Sequence, residues 1–107
     1  MVAQMDRVRE LEIRLVYAEL RAIEAELNGL RQEQNAWAVL LMCCRQGIEV
    51  EGMAGLSIER CRRRILECQG RVTRLLAQAQ THGDKVGMVA RIARGDGGRV
   101  QVRLDVV

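Results

Sequence analysis

The feature that most constrains this chain is a pair of heptad series that mirror each other. In the first half, Val16, Leu20, Ile23, Leu27, Leu30, Trp37, Leu41 and Cys44 follow alternating steps of four and three, with Gln34 as the one polar interruption. In the second half, Ile58, Cys61, Ile65, Cys68, Val72, Leu75, Ala79, His82 and Val86 obey the same rule. This is the spacing of a coiled-coil seam. Between the two series, Gly47, Gly52 and Gly55 break the helix, and Ser57 stands where a side chain can cap the next one. A short loop makes two helices antiparallel neighbours, so facing residues must lie equally far from the loop centre. They do: 44 with 58, 37 with 65, 30 with 72, 23 with 79 and 16 with 86 are all centred on residue 51. The pattern therefore predicts a mainly α fold, an antiparallel two-helix coiled-coil hairpin over residues 1–82 with its loop at about 47–55. Trp37 is expected over Ile65 and Gln34 over Cys68, with Glu33 and Arg71 as flanking neighbours.

The ends obey different rules. Before Val16 the apolar positions become Met5, Val8, Leu11 and Leu15, a stripe shifted round the helix. If the second helix stops near His82 and Gly83, this segment overhangs it by roughly 20 Å at the rise of an α-helix. In the tail, residues 83–107, Val100, Val102, Leu104 and Val106 alternate with Gln101, Arg103 and Asp105. That alternation belongs to a strand. Gly95-Asp96-Gly97-Gly98 reads as a turn, and Met88–Ile92 as a first strand. A lone β-hairpin is marginal in water, so this one is expected to need the N-terminal stripe or another chain to cover it. A second reading stays open, in which the helix runs on through Val86, Val89 and Ala93 to Gly95 and leaves a short extended tail.

Composition narrows the class. With 107 residues the chain makes one domain at most. It has no proline and no phenylalanine, and aromatics are 2% of it, which suits long helices better than a sandwich or an α/β sheet. No apolar run approaches the ~18 residues of a membrane span, and no secretory signal is visible, so a cytoplasmic protein is expected. Residues 1–50 carry six arginines against eight acids, and residues 51–107 carry eleven basic residues against six acids. A net charge of +3 is too small to identify a nucleic-acid binder.

Little here is arranged for chemistry. Cys43, Cys44, Cys61 and Cys68 lack the close paired spacing of zinc ligands. Cys61 and Cys68 are one heptad or about 10 Å apart, and His82 lies about 21 Å further along the helix. These residues read as small core side chains, and a Cys44–Cys61 bridge under oxidation would only staple the hairpin end. His82 reads as a packing or capping residue. No nucleophile, base or paired carboxylates converge on a concave site, so no enzyme activity, cofactor, metal or small-molecule substrate is expected.

The interaction signal is stronger. Residues 36–44, Ala-Trp-Ala-Val-Leu-Leu-Met-Cys-Cys, are apolar all round, whereas a two-helix seam buries only a stripe. Trp37, Val39, Leu40, Met42 and Cys43 are therefore candidate partner-binding residues. Val39, Met42 and Cys43 project away from the second helix and need cover: a second copy, a partner helix, or the loop residues Ile48, Val50 and Met53 folded back. Beside them, Arg60, Arg63 and Arg64 belong to a basic run that would favour an acidic partner. A basic nucleic-acid-binding dimer is the competing class, although no aromatic is interleaved for base stacking.

The heptad helix ending at Gly47–Gly55, followed by a second helix opening Leu56-Ser57-Ile58-Glu59-Arg60-Cys61-Arg62-Arg63-Arg64-Ile65, resembles the FliJ/YscO family of flagellar and type III secretion export proteins. The resemblance covers residues 4 to about 82. It implies a cytoplasmic, stalk-like coiled coil that engages a ring-shaped secretion ATPase and the export gate. The chain is shorter than that family usually is, a β-like tail is not part of its pattern, and no motif transfers individual functional residues. The sequence thus points to a non-enzymatic protein–protein interaction or assembly protein.

Overall fold

The computed structural model describes residues 2–107, with side chains from Gln4 onward. Two helices, α1 (Val2–Arg45) and α2 (Ile58–Lys85), precede two strands, β1 (Met88–Arg94) and β2 (Val100–Val106). All positions of the mirrored heptads are buried or half-buried, while the residues between them are mostly exposed. α1 ends where Gly47 adopts φ +69°, a conformation that costs glycine nothing. Ile48 N–H then donates to Cys43 O at 2.9 Å and Gly47 N–H to Cys44 O at 3.2 Å, which together satisfy two terminal carbonyls. At the start of α2, Ser57 Oγ accepts from Arg60 N–H at 3.1 Å, the cap its position predicts.

The tail is a β-hairpin. β1 and β2 pair antiparallel with Ala90 opposite Leu104 and Ile92 opposite Val102. The first strand extends two residues beyond the expected Ile92, to Arg94. Gly95–Arg99 joins the strands, closed by Gly95 N–H donating to Arg99 O at 2.7 Å. The alternative of a helix continuing to Gly95 fails because α2 stops at Lys85 and Gly87 turns the chain at φ +69°.

The chain divides into two compact units, one of residues up to Asn28 with Arg74–Val107 and the other of Gly29–Thr73. In the first, Val16, Leu20, Ile23 and Leu27 from α1 and Leu75 and Ala79 from α2 share a core with Val86, Ala90, Val102 and Leu104. Fully burying one such aliphatic side chain is worth about 1.5–3 kcal/mol. A strand edge left bare in this core would expose unpaired backbone groups. Side chains of α1 pair with the β2 edge instead. The Asn28 carboxamide bonds Val100 twice, donating to its carbonyl at 3.0 Å and accepting from its N–H at 2.9 Å, as a third strand would. One turn away, Glu24 Oε2 accepts from Val102 N–H at 2.9 Å, and Arg21 donates to Val102 O at 2.7 Å while it pairs with Glu24.

The β1 edge is treated differently. Gln80 Nε2 donates to Ala90 O at 2.7 Å, and Gly83 lets the strand approach closely. A Cβ at Gly83 would sit 2.8 Å from Met88 O and 3.2 Å from Ala90 N. The hairpin therefore gets its cover from the two helices it follows. This corrects the expectation that the N-terminal stripe or another chain supplies that cover: Met5, Val8, Leu11 and Leu15 stay 73, 55, 61 and 62% exposed.

The second unit holds the helix ends nearest the loop. Its fully buried residues are few: Leu30, Cys61 and Cys68. Gln34, Trp37, Leu41, Cys44, Ile58, Ile65 and Val72 are only half-buried, since two helices alone cannot enclose a stripe.

Candidate protein-interaction site

Val39, Met42 and Cys43 fall at i, i+3 and i+4, so they share one face of α1. Seam residues Leu41 and Cys44 turn the other way. The structure leaves Val39 60% and Met42 57% exposed, with Cys43 half-buried on the same face; Leu40 and the seam residue Trp37 are half-buried elsewhere round the helix. The loop gives no cover here: Ile48 is itself 52% exposed, and Val50 and Met53 are half-buried. The loop residues line an open depression of about 750 Å³ that includes Cys44, Val50, Met53, Leu56 and Ile58.

The arginines expected beside this patch are exposed, and two of them have partners on their own helix. Arg63 lies 3.4 Å from Glu59, and Arg64 lies 3.2 Å from Glu67. Pairs this exposed contribute little to stability. Arg64 does more: its guanidinium stands 5.9 Å from the centroid of the Trp37 ring, a cation–π contact that ties the basic run to the apolar patch. The register argument pointed Trp37 at Ile65, and Arg64 lies one residue from that position.

Cys44 and Cys61 are neighbours at the seam. Cys61 is fully buried, and its thiol is raised above the ordinary value of 9.0 by burial first and then by Cys44, with which it shares a hydrogen bond. Burial also raises the Cys68 thiol, with the Glu33 carboxylate adding to the effect. Arg71 acts on it in the opposite direction. All four cysteines are free. Buried protonated thiols of this kind are poor nucleophiles and poor metal ligands. Among the described residues, no group of three or more His, Cys, Asp or Glu side chains is placed to hold a metal ion.

His82 is half-buried in the first unit, with Nδ1 2.5 Å from Glu19 Oε2 and 3.5 Å from Lys85 Nζ. This contact closes the seam between the helices with a polar pair, which is a packing role.

Arg21, Glu24, Asn28, Gln80 and Gly83 carry the docked hairpin and escaped the sequence reading. Their one available signal is that Arg21, Glu24 and Asn28 share a face of α1 distinct from the seam. No helix of the described residues is long and apolar enough to cross a membrane. No family model, curated protein or solved structure matches the chain. The likeness to FliJ/YscO proteins thus rests on the helical-hairpin pattern alone.

Proposed function

We propose that this chain is a non-enzymatic docking protein that binds a partner protein through the apolar segment that holds Trp37, Val39, Leu40, Met42 and Cys43. The observation that carries this reading is the exposure of Val39 and Met42, at 60 and 57%, on a helix whose own loop leaves them uncovered. Large aliphatics side by side in water are a cost that a partner's apolar surface removes. Arg60, Arg63 and Arg64 bias the partner's rim toward acid and speed encounter more than they strengthen the complex. In its specific form the reading follows the family resemblance: a cytoplasmic component of a flagellar or type III secretion apparatus, with a secretion ATPase as the partner.

A photo-crosslinking residue at Val39 in the native cell, followed by mass spectrometry and binding assays with the purified partner, tests the proposal. The expected result is one dominant protein adduct, whose binding is lost in Val39→Glu/Met42→Glu. Unchanged binding by that variant refutes the docking face. Duplex DNA binding that falls steeply with salt, with no protein adduct, would instead support the basic nucleic-acid-binding dimer.

A further inference from the structure

We infer that residues 4–19 of α1 form a parallel two-stranded coiled coil with a second copy of this chain. Every residue from Gln4 to Glu12 is exposed, although the segment is helical throughout. Arg9 donates to Val86 O at 3.0 Å, yet a helical stretch this short is marginal in water with so little packed on it. Its apolar side chains are neither scattered nor small: Met5, Val8, Leu11 and Leu15 are each more than half exposed on one face. That face borders the α2 seam, where Leu15 lines a shallow depression with Val16, Lys85 and Val86, and lies away from the hairpin-bearing residues Arg21, Glu24 and Asn28.

The charges flanking the stripe identify the occupant. With Val8 and Leu15 at heptad position a, and Gln4 and Leu11 at d, position g holds Arg7 and Arg14 and position e holds Glu12 and Glu19. In a parallel pair each g residue faces the e residue of the next heptad on the other helix. Arg7 then meets the second copy's Glu12, and Arg14 meets the second copy's Glu19 in place of that carboxylate's contact with its own His82. Both pairs occur twice by symmetry. An antiparallel pair would set arginine against arginine and glutamate against glutamate. The stripe is therefore complementary to itself in one direction only.

Other details agree. Val8 at a with Leu11 at d, in the one heptad that has both, favours two strands, and Gln4 at d helps to fix register. Met5, at the first e position, widens the apolar face. Arg14 now pairs with Glu10 on its own helix at 2.9 Å, with both side chains well exposed, so exchanging that partner costs little. The next g residue, Arg21, is committed to Glu24 and Val102, which ends the interface near Glu19.

This inference does not depend on the docking face at Trp37–Cys43, because it uses other residues and another readout. Sedimentation velocity on the full chain should show a concentration-dependent dimer, and Leu11→Glu/Leu15→Glu should be monomeric with an unchanged helical signal. Arg7→Glu and Glu12→Arg should each dimerise roughly tenfold more weakly, since each places like charges at two symmetric sites. Mixed together, those two variants should form a heterodimer of wild-type strength. A wild-type chain that stays monomeric, or a dimer that persists in Leu11→Glu/Leu15→Glu, overturns the proposal. Tighter self-association by Arg7→Glu also overturns it, because that is the signature of antiparallel pairing.

Discussion

The two units use one heptad rule and reach different degrees of burial. In the unit that carries the β-hairpin, Leu20 is 0% and Val102 0% exposed, and the seam residues Val16, Ile23 and Leu27 are buried with them. In the unit at the loop, Trp37, Leu41, Ile58 and Ile65 occupy equivalent seam positions and remain half-buried. The difference lies in the third element. Two helices bury one stripe each, and a strand pair laid on them encloses the side chains between. The comparison teaches that the tail, 25 residues by the sequence division at 83–107, is structural support for one end of the hairpin. The other end has only its own seam.

Truncations should expose this asymmetry most plainly. Leu20→Ala is expected to cost about 3–5 kcal/mol in urea unfolding, because the cavity lies in a core closed on three sides. Leu41→Ala should cost about 1 kcal/mol, because its side chain is only partly removed from water. Equal costs would break the comparison. Next in size is the strand approach: Gly83→Ala should destabilise by about 1–3 kcal/mol, since the new Cβ meets backbone at Met88 and Ala90. Alanine is normally the better helix former by up to ~1 kcal/mol, so a stabilised variant would show that β1 can move aside. Asn28→Ala should cost about 1–3 kcal/mol by leaving Val100 without its edge partner. The smallest effect belongs to the loop-proximal unit. The folded state raises the Cys61 and Cys68 thiols above 9.0, so they stabilise the fold below that pH. The unfolded chain ionises first as pH rises, and stability falls through the folded values. Under reducing conditions, stability should decline above about pH 9 in the wild type and less steeply in Cys61→Ala/Cys68→Ala.

Much of this architecture was legible in the residues. Mirror symmetry about residue 51 located the helices, the loop and the seam, because heptad spacing is a local property with one geometric solution. Alternation from Val100 to Val106 marked the second strand for the same reason. The cover of that strand was not legible. Asn28 and Val100 are distant in sequence, and a polar residue on an exposed helix face carries no mark of what it will bond. Gly83 was equally silent, since a helical glycine announces a close approach only once its neighbour is known. At the loop, the exposure of Val39 and Met42 followed from an all-round apolar segment on a helix with a single partner.

Native-state hydrogen exchange tests the central claim most directly, because it reads the stability of each unit in one intact chain. The account predicts the slowest exchange at residues 16–28, 75–83, 90 and 102–104, and exchange faster by orders of magnitude at 37–45 and 58–65. Equal protection in the two units would contradict it, and would mean that the helical seam alone holds the fold and the β-hairpin adds nothing to it.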